Sequence, residues 1–128
     1  MAIGFAKRVF QIAGFWGLFV LSLAYVAYLL GFESATIDTD RPEFVHGFFL
    51  IALSWQIVFL FIATDPARYR PLMLAATLEK FPFTLAVVLL YANGQVPATM
   101  LALGLIDGMF GVLFTIAYVS TDPAIGAE

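Results

Sequence analysis

Three ionisable residues lie inside long apolar stretches of this sequence: Glu79, Lys80 and Asp107. A charged side chain at the centre of a bilayer costs about 2.5–3.5 kcal/mol on insertion scales, so such groups normally face a bundle interior and pair with one another. Ion pairing, proton binding and hydrogen bonding to an apolar ligand are the chemistries open to this combination.

The depths of these residues along their helices favour one pairing. At a rise of about 1.5 Å per residue, Glu79 lies ~12 Å, Lys80 ~14 Å and Asp107 ~20 Å from the same membrane surface. A lysine stem can cover a difference of about 6 Å by running along apolar surface. We therefore predict a Lys80–Asp107 ion pair. Glu79, about 100° around its helix, then either holds a proton or bonds to Gln56, which lies ~12 Å deep on a neighbouring helix.

Two interpretations of this polar set stay open. The Lys–Asp pair can serve only to hold two helices in register, with Glu79 hydrated near the interface. Alternatively, Pro82 kinks its helix and frees the carbonyl of Leu78, which creates a polar pocket beside the charges. The candidate binding pocket consists of Gln56, Glu79, Lys80 and Asp107.

A second candidate site is the segment from Asp65 to Pro71, whose sequence is Asp-Pro-Ala-Arg-Tyr-Arg-Pro. Asp65 can cap a short turn, and the two arginines suit the anionic headgroups of a membrane leaflet. Its four polar or aromatic members form either a membrane-surface segment or a docking loop for a partner: Asp65, Arg68, Tyr69 and Arg70.

The composition identifies an integral membrane protein. Hydrophobic residues make up 62% and charged residues 12% of the chain, against about 45–50% and 25% in soluble domains. With no Cys and one His, thiolate sites, iron–sulfur clusters and multi-His metal centres are excluded within one chain, so we expect neither a metal nor a cofactor. A net charge of −3 without a basic face argues against nucleic-acid binding. His46, ~5 Å below the outer surface, is expected to be an ordinary interfacial histidine, with titration or cofactor ligation as the alternatives.

Four apolar stretches of spanning length organise the chain as one domain over residues 1–128: about 9–31, 43–64, 71–92 and 97–120. Short loops predict an all-α, up-down bundle in which successive helices are antiparallel neighbours. Four basic residues flank one side and one flanks the other, which predicts that both termini are cytoplasmic. These residues are Lys7, Arg8, Arg68 and Arg70 against Arg41.

Small residues recur in the last span as Gly104-Leu-Ile-Asp-Gly108, followed by Gly111. Glycines at this spacing allow helix backbones to approach closely. We expect them to pack the fourth helix within the molecule rather than to form a dimer interface.

The four spans, the Asp65-Pro-Ala-Arg-Tyr-Arg70 loop and Asp107 in a glycine-rich last helix resemble the broad group of small four-helix bacterial membrane proteins that includes the DoxX-like families. The resemblance implies a location in the bacterial inner membrane and no established chemistry. Small multidrug transporters are similar in size, but they depend on an acidic residue in the first span, which this chain lacks.

Two functions remain in view. The leading hypothesis is a non-catalytic accessory subunit or binding module, because the sequence shows no nucleophile–base pair, metal set or phosphate loop. The alternative is an enzyme or proton-coupled carrier that acts on an apolar substrate, such as a lipid or a quinone, through the intramembrane Glu/Lys/Asp site. The expected partners are the lipid bilayer and another membrane protein or further copies of this chain.

Overall fold

The protein is built from four long helices. The computed structural model describes residues 2–32 and 40–122. The helices are α1 (Ala2–Leu29), α2 (Pro42–Thr64), α3 (Arg70–Ala92) and α4 (Ala98–Ser120). Prolines lie in the first turns of α2 and α3 and directly before α4, where their missing N–H is not needed and their fixed φ suits the start of a helix.

All four helices are long and apolar enough to cross a membrane, with mean hydropathies between 1.7 and 2.1. The protein is therefore a multi-pass membrane protein, as the composition predicts. α1 begins several residues before the predicted span, because Lys7 and Arg8 are good helix formers and extend it. α3 runs without interruption through Pro82.

The helices pack as two hairpins, α1 with α2 and α3 with α4, and the hairpins join mainly through α1 and α4. α2 and α3 touch only a little, although they follow each other in the chain. This differs from the expectation that all successive helices are close neighbours. The short connection keeps the ends of α2 and α3 together but does not dictate contact along their length.

The shared core lies at one end of the bundle, where α1 and α3 begin and α2 and α4 end; we call this the near end and the opposite one the far end. Three phenylalanine rings from three helices form its centre: Phe10, Phe59 and Phe114. The Phe10 and Phe114 rings stack with centroids 4.2 Å apart, and the Phe59 ring meets Phe114 at 5.0 Å. Such aromatic contacts add to the energy of burial.

Toward the far end, burial occurs mostly within each hairpin. Tyr25 of α1 stacks on Phe49 of α2, while Val87 of α3 covers Gly104 of α4. Leu103 lies on the face of α4 that carries buried Phe110 and Phe114, yet it is 39% exposed. The two hairpins are thus held together at the near end and less closely packed at the far end.

Glycines on α4 allow it to pack tightly on α3. A Cβ at Gly104 would lie 2.8 Å from Val87 Cγ1, and one at Gly108 would lie 2.9 Å from Thr84 Cγ2. Gly111 is similarly close to the ring of Phe81. The prediction that this glycine series packs within the molecule is confirmed.

Replacing Gly104 with alanine should destabilise the protein by about 1–3 kcal/mol, because the new methyl overpacks against the branched Val87 side chain. Reversible unfolding in mixed micelles, followed by circular dichroism during an SDS titration, measures this. Gly47→Ala is the matched control, since nothing lies within 4 Å of a Cβ there. The control should be neutral or stabilising by up to about 1 kcal/mol through helix propensity. Equal effects of the two variants would contradict the packing argument.

Candidate functional site

Lys80 of α3 and Asp107 of α4 form the predicted ion pair. Lys80 Nζ donates to Asp107 Oδ1 at 3.1 Å, and the lysine side chain is only 6% exposed. The antiparallel packing of α3 on α4, made close by the glycines, brings the two residues to neighbouring depths. The prediction of this pair is confirmed.

Glu79 is a second ionic partner of the same lysine. Its Oε2 lies 3.2 Å from Lys80 Nζ, and the sequence did not indicate this contact because adjacent residues on a helix point about 100° apart. The long lysine side chain overcomes that separation. We call Glu79, Lys80 and Asp107 the ion triad.

Two further groups, one ring and one hydroxyl, lie beside the ion triad. The Lys80 ammonium lies 5.2 Å from the centroid of the buried Phe59 ring of α2, within the range of a cation–π interaction. Thr84 Oγ1 lies 2.8 Å from the carbonyl oxygen of Gly104 and 3.1 Å from that of Lys80. Its hydroxyl thus ties α3 to α4 beside the charges. Thr84 was missed from the sequence; its position one turn after Lys80 is the only signal that could have indicated it.

The ion triad contains two acidic side chains and one basic side chain. Two carboxylates face one ammonium, so the cluster carries a net charge of −1 when all three groups are ionised. The side chains of Glu79 and Asp107 remain 20% and 23% exposed. By helix rise from Arg70 and from Ser120, they lie about 14 Å and 20 Å from the near end. Partly exposed carboxylates thus lie at a depth where a membrane offers no water.

Gln56 lies apart from the triad, at the interface of α1 and α2. Its side chain is 1% exposed, and its Nε2 donates to the carbonyl oxygen of Ala52 at 2.9 Å. Its Oε1 has no donor, and a Cβ on Gly17 would overlap the amide group. Of the two alternatives expected for Glu79, the bond to Gln56 is not formed, because the Gln56 amide occupies the space left by the missing side chain of Gly17.

The loop between α2 and α3 is largely engaged in holding the fold. Asp65 Oδ1 accepts the backbone N–H of Arg68 at 3.2 Å, which confirms the predicted capped turn. Arg70 Nε donates to the carbonyl oxygen of Tyr118 at 3.0 Å, and its guanidinium lies 3.8 Å from the centroid of the Tyr118 ring. Tyr69 packs against the core. Asp65 and Arg68 are the exposed members of this set and are accessible to a headgroup or partner.

An unexpected polar contact lies at the far end. The Tyr25 hydroxyl is 2.7 Å from His46 Nδ1, and the Tyr28 ring meets the imidazole edge to face at 5.6 Å. Tyr25 and Tyr28 are three residues apart and therefore share a helix face. This three-residue spacing is the sequence signal that could have indicated a polar contact for the two tyrosines. The sequence does not determine the register of α1 against α2, so it did not identify His46 as their partner.

Within residues 2–32 and 40–122, no three His, Asp or Glu side chains come together as a group that could hold a metal ion. Comparison with protein-family models, curated proteins and solved structures yields no match.

Lys80→Met should destabilise the protein by about 3–5 kcal/mol, because it leaves two carboxylates in the bundle without their cation. Glu79→Gln should change stability by less than about 1.5 kcal/mol, since the Lys80–Asp107 pair remains and the amide oxygen can still accept a hydrogen bond. SDS titration in mixed micelles compares the two variants. A larger loss in Glu79→Gln than in Lys80→Met would show that the excess carboxylate, not the cation, holds the triad together.

Tyr25→Phe should cost about 1 kcal/mol through loss of its hydrogen bond to His46. Tyr28→Phe is the control, because phenylalanine retains the ring contact with the imidazole. The same unfolding assay applies to both variants. If both substitutions were neutral, the Tyr25–His46 contact would carry no stability.

Proposed function

We propose that the protein is a non-catalytic subunit of a larger membrane assembly, in which a partner helix covers the ion triad. The observation that carries the proposal is the residual exposure of the Glu79 and Asp107 carboxylates deep within the spans. Hydrocarbon is a poor environment for a charged oxygen, so such groups are normally buried in protein or face a water-filled cavity.

The place for a partner is the side of α3 that faces α2. Phe83 lies four residues after Glu79 and therefore on the same side of the helix, and its ring is 6.2 Å from that of Phe48 of α2. Because α2 and α3 make little further contact, this side is incompletely covered. We call it the seam; Ala86, seven residues after Glu79, extends it toward the far end.

The charge of the triad indicates what the partner brings. With all three groups ionised, the net charge of −1 calls for a basic group or several hydrogen-bond donors. The chain has six Lys and Arg residues, and every one except Lys80 lies near the end of a helix or in a loop. At this depth a second copy therefore brings only its own Lys80, which already pairs with the two carboxylates of its own triad, so a different chain fits the site better than a homo-oligomer.

The proposed location is the bacterial plasma membrane, with both termini in the cytoplasm. The distribution of basic residues supports this orientation: Lys7, Arg8, Arg68 and Arg70 flank the near end. The resemblance to DoxX-like proteins supports a location in the bacterial plasma membrane. Membership of that group is part of the proposal.

One observation favours the second candidate, a proton-coupled carrier or an enzyme for an apolar substrate. Glu79 Oε2 is buried and, apart from its ionic contact with Lys80, makes no hydrogen bond. It could accept a proton or a donor group from a ligand. Four helices alone enclose little space for a transport path, so this function also calls for further subunits.

A photo-crosslinking residue at Ala86 should capture a partner of different sequence in the native host, whereas one at Leu85 should not. Both positions are exposed, but Leu85 lies about 100° away from the seam. Mass spectrometry of the adduct identifies the captured chain and the attached residue. Equal yields at both positions, or adducts only between copies of this chain, would contradict the proposal.

Glu79→Gln should lower the yield of the Ala86 adduct several-fold while the isolated protein stays folded, because the excess negative charge is gone. Yield is quantified on gels, and folding by circular dichroism. Retention of full assembly, together with loss of a proton-dependent transport or turnover activity, would favour the carrier or enzyme instead.

A further inference from the structure

We propose that a groove between α1 and α2 at the near end binds one anionic phospholipid whose headgroup carries a hydroxyl. The groove has a volume of about 390 Å³ and is separate from the ion triad. We call it the α1–α2 groove. Its lining residues are Lys7, Gln11, Phe15, Leu60, Ala63 and Thr64.

The groove is polar at one end and apolar at the other. Lys7, Gln11 and Phe15 follow one another at four-residue intervals, so they form a stripe about 12 Å long on one side of α1. On α2, Thr64 lies at the helix end and Leu60 one turn deeper. Both helices therefore place polar groups at the near end and apolar groups toward the hydrocarbon, which matches the order of headgroup and acyl chain in a lipid.

Small residues create the space. Ala63 is buried and contributes only a methyl group to the groove. Leu60 packs into the position of the absent Gly14 side chain, where a Cβ would lie 2.7 Å from Leu60 Cδ2. Through this contact α1 and α2 pack closely beneath the groove. The groove therefore lies on the surface of a tightly packed helix pair.

The polar lining indicates the ligand chemistry. Lys7 is exposed, and it makes no ion pair with any residue in the described ranges 2–32 and 40–122. Its ammonium and the Gln11 amide can donate to a phosphodiester. Thr64 Oγ1 already donates to the carbonyl oxygen of Phe61 at 2.6 Å, so its oxygen is left as an acceptor. An anionic phosphate together with a headgroup hydroxyl satisfies all three groups.

A comparison of Lys7 with the neighbouring Arg8 distinguishes a specific lipid site from general attraction to an anionic membrane surface. Arg8 is exposed on the same turn of α1 and carries the same charge as Lys7, but it does not line the groove. Lys7→Gln and Arg8→Gln therefore change net charge equally and differ only in their effect on the groove.

The test is native mass spectrometry of the delipidated full chain titrated with phosphatidylglycerol, with phosphatidylcholine of the same acyl chains as the comparison. We expect the first phosphatidylglycerol to bind more tightly than phosphatidylcholine. Lys7→Gln should weaken it about tenfold, equivalent to about 1.4 kcal/mol. Arg8→Gln should weaken it less than twofold, and Lys7→Arg should retain most of the binding.

Three results would overturn the proposal. Equal losses in Lys7→Gln and Arg8→Gln would reduce the effect to surface charge. Absence of any preference for phosphatidylglycerol in the unmodified protein would remove the headgroup site. Displacement of the lipid by inorganic phosphate at the same concentration would show that the acyl chain contributes nothing, and the ligand would then be phosphate alone.

Discussion

Placing an ammonium group inside a membrane-spanning bundle is the constraint on which the rest of this structure depends. Lys80 is almost fully buried, and a buried charge is tolerated only when it is paired and its hydrogen bonds are satisfied. Asp107 and Glu79 supply the opposite charge, and the Phe59 ring faces the remaining side of the ammonium. Close packing of α3 on α4, including the Thr84 hydroxyl, holds the acceptors in position.

The same arrangement divides the bundle into two parts. Between the triad and the near end, rings from α1, α2 and α4 pack in a common core. Between the triad and the far end, packing occurs mainly within each hairpin, as in the stacking of Tyr25 on Phe49. The side of α3 that faces α2 is therefore both the least covered surface between successive helices and the surface that carries the excess carboxylate. This coincidence is the reason why we propose the seam as the site of a partner chain.

Composition and hydropathy were sufficient to predict four spans. Helix rise, together with the antiparallel arrangement expected of helices joined by a short loop, was sufficient to pair Lys80 with Asp107. The spacing of Gly104, Gly108 and Gly111 likewise indicated that α4 packs closely within the molecule, but not that its partner is α3. What could not be predicted was rotation about each helix axis. Gln56 turns toward Gly17 rather than toward Glu79, and Tyr25 meets His46, because side-chain fit between specific helices decides these contacts and no periodicity encodes it.

The adjacency of Glu79 and Lys80 has a consequence for biosynthesis. Asp107 follows Lys80 by 27 residues, and a chain emerges from the ribosome N-terminal end first. Lys80 is therefore synthesised before Asp107, its interhelical counter-charge. Glu79 belongs to the same helix as Lys80 and lies 3.2 Å from its ammonium, so both groups of this ion pair are made together. The second carboxylate thus gives α3 a counter-charge that does not depend on its contact with α4.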